Sequence, residues 1–358
     1  MNGGLSGTIA VTGVNATDNP APGVPVARSL RDAPGFCGRI IGLGYDPLDS
    51  GFYASGLLDG GAILPYPSVG RDALRHALLS IRDQFGINAL LPNLDSELRA
   101  VITMADELRE AGIGTCLPDL NALERVSKAQ LPRLSAAAGL RVPESEALTT
   151  PDGLPKFIKR VGLPVVVKGP YYGAYVAHSE ADAIAAFRNF ESTWGLPVIV
   201  QAFASGDEYN VCAVGDGRGN TIGAVAMRKL LLTDKGKGWA GVTVVNPRLL
   251  SMTEALIGEL RWRGPLEVEA ILSSHDDVQV IEINPRFPAW AYLTAAAGQN
   301  LPLVCAQMAL GEPAPSRLPA YAAGRMFVRI SLDQISDLST FAALSATGRL
   351  IGPTGDIS

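Results

Sequence analysis

Between residues 8 and 115, short apolar runs alternate with amphipathic helical patterns, and a chain built this way has few ways to fold. The runs are "TIAVTGV", "RIIGLG", "INALLP" and "IGTCLP". The intervening stretches "VPVARSLRDA", "RDALRHALLSIRDQF" and "SELRAVITMADELREAG" repeat apolar residues at spacings of three and four, as helices with one buried face do. Strands separated by helices line up in parallel and are covered on both sides. The pattern therefore predicts an α/β class with a doubly wound sheet over residues 1–115.

The rest of the chain reads as two α+β units. Residues 116–204 hold helical patterns at "NALERVSKAQLPRLSAAAGL" and "EADAIAAFRNFESTWG", and strands at "LPVVVKG" and "PVIVQAF". Residues 205–358 are richer in strands, with "EYNVCAVGD", "TIGAVAMRKLLL" and "AGVTVV" parted by glycine-rich turns, a helix at "MTEALIGELRWR", and a last strand at "RMFVRIS". With 358 residues, 47% of them hydrophobic and 18% charged, each unit has material for its own core without disulfide staples.

Composition also excludes function classes. The formal net charge is -5 and no segment gathers the lysines and arginines that a phosphate backbone requires, so nucleic acid is not an expected partner. The four cysteines are scattered without a CxxC pair, which predicts buried, reduced thiols rather than a zinc site. No basic leader precedes a long apolar stretch and no run is apolar enough to span a bilayer, so a soluble, cytoplasmic protein is expected, with no membrane partner.

The chemistry concentrates in two strands, "LEVEAIL" and "VQVIEIN", joined by the polar turn "SSHDD". Side chains alternate along a strand, so Glu267 and Glu269 share one face while Glu282 and Asn284 share another, with Ile281 and Ile283 behind. If the strands pair, one sheet face carries three carboxylates and an amide, a costly arrangement unless cations compensate it. Oxygen-only donors suit a hard divalent ion that takes further ligands from water and phosphates. Arg286 follows at once.

The stretch "VIEINPR", with an acid-bearing strand before it, resembles the signature of the ATP-grasp enzymes, in particular the branch similar to carbamoyl phosphate synthetase and the carboxylate-amine ligases. The resemblance runs over most of the chain. It implies that Glu269, Glu282 and Asn284 hold Mg²⁺, with Mn²⁺ as a substitute, and that Arg286 holds the transferring phosphate or the acyl phosphate. It further implies that Lys128 and Lys168 contact ATP phosphates, that backbone groups at Gln201, Ala202 and Phe203 meet the adenine, and that Glu208 accepts from the ribose. Arg228 would reach a phosphate or the acyl intermediate. The departure is the phosphate-covering loop: "GPYYGAYVA" keeps Gly169 and Gly173 but puts Tyr171, Tyr172 and Tyr175 where small residues are usual.

In the first unit, "VTGVN" follows a strand, yet GxGxxG is absent, so a nicotinamide cofactor is not expected. "LLPNLDSELRAV", with Asp95 and Glu97, resembles the family's helix start that borders the substrate pocket; Asp95 and Ser96 also suit plain helix capping. Trp290 and Tyr292 read equally as core or as an acceptor pocket. The resemblance implies an ATP-dependent ligase that joins a small-molecule or peptide carboxylate to an amine through an acyl phosphate, releasing ADP and phosphate, with a homodimer as the expected assembly. The alternatives are a carboxylase or bicarbonate kinase on the same fold, or a nucleotide-binding module without catalysis.

Overall fold

The protein is represented by a computed structural model that describes residues 5–16, 20–170, 173–233, 238–273 and 277–354. The first unit runs β1 (Thr8–Thr12), α1 (Gly23–Arg31), β2 (Arg39–Gly44), β3 (Gly60–Ile63), α2 (Arg71–Phe85), β4 (Ala89–Leu91), α3 (Asp95–Thr103), α4 (Ala105–Glu110) and β5 (Gly114–Thr115). Its strands are parallel in the order β3-β2-β1-β4-β5, so the order reverses beside β1, and the ends of β1 and β4 frame the crevice where ligands of open α/β sheets bind. Ile41, Leu78, Ile81 and Val101 pack on one face, and Ile9, Val11, Leu30 and Ile40 on the other.

Two local departures from the sequence pattern have simple causes. β3, "GGAI", was not among the expected strands because its glycines give no apolar alternation; Gly61 is small because a Cβ there would sit 2.7 Å from the Phe52 ring. The helical pattern from Ser96 to Gly112 forms two helices, α3 and α4, parted at Met104, whose side chain is fully buried.

The second unit holds α5 (Leu120–Arg125), α6 (Leu131–Ala138), β6 (Ser145–Leu148), α7 (Leu154–Val161), β7 (Val165–Lys168), β8 (Ala174–Ala177), α8 (Glu180–Trp194) and β9 (Val198–Ala202). Its antiparallel sheet is ordered β6-β9-β7-β8, and Phe157 of α7 and Phe187 of α8 fill a core of its own with Val165 and Val167. Ser179 caps α8, its side chain accepting from Asp182 N–H at 3.1 Å.

The third unit holds β10 (Asp207–Asp216), β11 (Thr221–Leu232), β12 (Gly238–Val244), α9 (Pro247–Leu260), β13 (Arg263–Leu272), β14 (Val278–Asn284), α10 (Tyr292–Ala296), α11 (Leu301–Leu310), β15 (Met326–Val328), α12 (Leu338–Thr347) and β16 (Arg349–Ile351). Its antiparallel sheet is ordered β14-β13-β10-β11-β12-β15. β16 leaves this unit and pairs antiparallel with β3, Leu350 opposite Gly61, on the edge of the first sheet.

The packing redraws the division expected at 115/116 and 204/205. Leu131 and Leu134 of α6, with Ala122 of α5, pack against Leu256, Ile257 and Trp262, so α5 and α6 belong to the core of the third unit. The closing strand belongs to the first. The expectation of four buried thiols is also corrected: Cys116, Cys212 and Cys305 are buried, whereas Cys37 is exposed, and all four are free. Among the described residues, no helix is long and apolar enough to cross a membrane.

Candidate active site

The register of β13 and β14 sets Glu269 opposite Glu282 and Glu267 opposite Asn284, so the acids and the amide share one face. A bulge between these pairs and the outer ones leaves Ile281 without a partner on β13, which breaks the even alternation expected behind the acids. The bulge has a use: the Ile281 carbonyl accepts from Lys168 Nζ at 3.0 Å. Asn284 Nδ2 bridges the neighbouring strand, donating to Glu267 Oε2 and Glu269 Oε1 at 3.0 Å each.

Glu267 is buried and accepts from Asn210 Nδ2, from Asn284 Nδ2 at 3.0 Å and from Trp290 Nε1 at 2.7 Å. Burial and the Glu269 charge push its carboxyl up, against Arg286 and the donors. It is thus a bracket that orients Asn284. Trp290, read from sequence as core or acceptor pocket, is the indole that completes this bracket. Tyr292 lies elsewhere: its hydroxyl donates to Asp32 at 2.6 Å and Arg28 stacks over its ring.

Cations approach the acidic face from the end of β7, from the segment between α5 and α6, and from β11. Lys168, at the end of β7, is buried, and this burial draws its ammonium below the ordinary lysine value, opposed by Glu282 and reinforced by Lys128. Lys128 Nζ stands 3.4 Å from Glu282 Oε1. Lys229 on β11 donates to both Glu208 and Glu269 at 2.9 Å with its side chain only 7% exposed. Its burial lowers the ammonium, but Glu269 and Glu208 outweigh this and raise it well above the usual value.

Arg228 does not join them. It lies opposite Tyr209 and Val242, on the reverse face of the sheet, pairs with Asp207 at 2.9 Å and is 44% exposed. Alternation gives the inward position to its neighbour Lys229. Arg286 is buried; its Nε donates to Asp95 Oδ2 at 2.8 Å and its Nη1 to the Phe287 carbonyl at 3.1 Å. Asp95 opens α3, so the first unit, through the crevice beside β4, holds the arginine of the third.

On β9, Gln201 is buried and pairs with Val166, and so shares the face of Lys168. The Ala202 N–H donates to the Glu144 carbonyl at 2.8 Å, so the backbone donor expected at Ala202 is already engaged. Phe203 is exposed just beyond β9, and Glu208 sits at the start of β10 beside Lys229. Gly169 N–H donates to the Gly173 carbonyl at 3.2 Å, closing the short β7–β8 hairpin. Tyr175 is opposite Val167, on the face turned away from Lys168. Tyr171 and Tyr172 lie outside the described residues.

In the crevice of the first unit, Glu97 is buried and accepts from Thr12, from Tyr45 at 2.6 Å and from the N–H groups of Asn93 and Leu94. Burial pushes its carboxyl up against these donors. It ties the ends of β1, β2 and β4 together. Sequence showed the acid but could not show its partners.

Among the described residues, no group of three His, Cys, Asp or Glu is placed to hold a metal on its own. What the face offers is two opposed carboxylates, Glu269 and Glu282, with Asn284 beside them and the buried Asn210 Oδ1, which has no hydrogen-bond partner, opposite Glu269. This oxygen-only set fits a hard divalent cation whose other ligands come from water and phosphate.

The family described as ATP-grasp in the biosynthetic pathway with Ter operon matches residues 196–329. A phosphoribosylamine–glycine ligase of Synechocystis sp. is 24% identical over 214 residues, which are 53% of this chain and 51% of that protein. The chain thus spans about half the length of the curated relatives it matches. Biotin carboxylase from Campylobacter jejuni superposes with a TM-score of 0.68 at 17% identity, over 86% of this chain and 72% of that one. An L-amino acid ligase from Bacillus licheniformis gives 0.63 at 14%, over 86% and 75%. These two likenesses show a shared fold. The chain thus matches an ATP-grasp family over residues 196–329 and, over most of its length, shares its fold with biotin carboxylase and an L-amino acid ligase.

Proposed function

We propose that the protein is an ATP-dependent carboxylate-amine ligase that forms an amide or peptide bond through an acyl phosphate. The observation that carries the reading is the convergence on one face of the Glu269/Glu282 pair, Asn284, Lys168, Lys128 and the Asp95-bound Arg286. No hydrolytic triad is needed, because phosphoryl transfer asks mainly for positioning and charge compensation. The sequence similarity to a phosphoribosylamine–glycine ligase and the fold shared with an L-amino acid ligase agree with it.

In this reading Glu269, Glu282 and Asn284 hold Mg²⁺, or Mn²⁺ in its place, which supplies charge neutralisation to the ATP phosphates. Lys168, at the end of β7, and Lys128, between α5 and α6, contact those phosphates. Gln201, the Ala202 carbonyl and Phe203 border the adenine, and Glu208 accepts from the ribose. A carboxylate oxygen of the substrate attacks the γ-phosphorus and the bond to the ADP oxygen breaks. Arg286, held rigid by Asp95, faces the negative charge on the transferred group. The amine then attacks the acyl carbon; phosphate departs with the C–O bonding pair and the nitrogen loses a proton.

The test is ADP release with Mg²⁺ over a panel of amino acids, dipeptides and other carboxylates, each with and without amines, followed by mass spectrometry of the product. Release that needs both a carboxylate and an amine, with an amide of the summed mass less water, is expected. ATP binding without any stimulated turnover across the panel would favour a binding module.

A further inference from the structure

The antiparallel sheet ends at β15, and among the described residues the outer edge of that strand pairs with nothing. Met326 lies opposite Val242 and Val242 opposite Arg228, while Val328 lies opposite Ala240 and Ala240 opposite Leu231. Met326, Val328 and Leu231 therefore share the reverse of the acidic face. Beyond β15 the chain runs from Arg329 to Asp337 without helix, strand, turn or bend until α12 begins. The alternation continues into this stretch: Met326, Val328, Ile330 and Leu332, with Ile335 and Leu338 further on, are between 59% and 77% exposed. An open edge bearing such a row invites another strand, and folded proteins normally blunt or cover it.

Area and charge indicate what covers it. With Leu231, these side chains present about 900 Å² to solvent, more than the roughly 300–600 Å² of the largest apolar patch on a typical monomer. Two thirds of that area, counted on both of two copies, reaches the roughly 1,200 Å² at which stable interfaces begin. The charges along the segment are ordered symmetrically, Arg325 and Arg329 before Ser331 and Asp333 and Asp337 after it, each four residues from the next. Antiparallel pairing of the segment with itself, centred on Ser331, sets Arg325 opposite Asp337, Arg329 opposite Asp333 and Ile330 opposite Leu332. Every charge meets its opposite, and both kinds of cross-strand pair are stabilising. Among the described residues neither Arg325 nor Asp333 makes an ion pair within its own chain. Asp337 caps α12 with one oxygen, accepting from Ser339 N–H at 2.8 Å, and keeps the other for an arginine.

We infer that residues 325–337 form the interface of a symmetric dimer, in which the β15 edge pairs antiparallel with that of a second copy about a two-fold axis at Ser331. The two six-stranded sheets then join edge to edge. The axis of such a pair stands normal to the sheet, so both acidic faces open on the same side. This goes beyond the ligase reading and does not depend on it.

Light scattering during size-exclusion chromatography of the whole chain should give twice the chain mass. Ile330→Lys places two ammonium groups beside the axis and should raise the dissociation constant at least about a hundredfold. Arg325→Asp sets like charges opposite each other at both ends of the pairing and should raise it about tenfold, and adding Asp337→Arg should recover most of that loss. Ser331→Cys would meet its own copy across the axis. In a Cys37→Ser background, which removes the exposed native thiol, diamide should link it into a covalent dimer and leave Ser192→Cys on α8 unlinked. Far-UV circular dichroism of every variant should match the wild type, because all the replaced side chains are exposed. A wild type that stays monomeric at about 100 µM overturns the interface and leaves the strip to a partner of another kind. A dimer that survives Ile330→Lys, or Ser331→Cys that links no faster than Ser192→Cys, overturns it as well.

Discussion

Asp95 and Arg286 meet at 2.8 Å although they are separated by 191 residues, one opening a helix of the parallel sheet and the other ending the signature strand of the antiparallel one. The pair fixes a guanidinium at the junction of two units. Asp95→Asn keeps the shape and removes the charge. A stability loss of about 1.5–3 kcal/mol is expected in urea unfolding, the usual worth of a charged hydrogen bond. The kcat should fall by about tenfold through a less ordered Arg286, with nucleotide affinity held.

Lys229 and Arg228 are neighbours with opposite expected phenotypes. Lys229→Met leaves Glu208 and Glu269 facing each other without a cation, which should cost about 2 kcal/mol, less than a fully buried pair because Glu208 is partly hydrated. Turnover should drop by about a hundredfold. Arg228→Ala breaks a solvent-exposed pair with Asp207 and should cost under about 1 kcal/mol with turnover nearly unchanged. Side-by-side melting curves and initial rates decide this, and a severe Arg228→Ala defect would put the wrong residue in the site.

Lys168 makes nucleotide binding depend on pH. Its ammonium titrates below the ordinary 10.5 in the folded protein, because burial outweighs the nearby acid. Between that lowered value and 10.5 the unfolded chain holds more protons than the folded one, so stability without nucleotide rises with pH across this window and is lost as pH falls through it. Phosphates favour the charged form, so ATP binding should take up protons there and weaken as pH rises. Calorimetry in buffers of different ionisation enthalpy should show the uptake in wild type and not in Lys168→Met.

Trp290→Phe removes one of the three donors to Glu267 while keeping most of the ring volume. A loss of about 1–2 kcal/mol is expected, with a rise in the metal concentration needed for half-maximal turnover because Asn284 is less well held. An unchanged metal requirement would separate the bracket from the site.

The grouping of Glu269, Glu282 and Asn284 was readable because period-two alternation is local and a short turn leaves little freedom of register. Lys168 was readable because a lysine closing three valines has to point somewhere specific. Lys229 was not, because two successive residues of β11 are both cationic and only the pairing of Tyr209 with Arg228 decides which one turns inward. The roles of Asp95 and Trp290 depend on partners that folding supplies from distant segments. β3 and β16 escaped notice for a related reason: the first is glycine-rich and the second three residues long, so neither carries a pattern of its own.

The strand pairing of Arg349–Ile351 with β3 bears on how the protein is made. The inner face of the first sheet is closed by Trp290, Leu293, Leu301, Val304 and Leu344, all translated long after β1 and β2 leave the ribosome. The nascent first unit therefore waits with Val26, Leu30 and Ile40 uncovered until the segment from Trp290 to Leu344 has emerged. A fragment ending at residue 115 is expected to aggregate, whereas residues 145–202, whose core is self-contained, can reach their fold while synthesis continues.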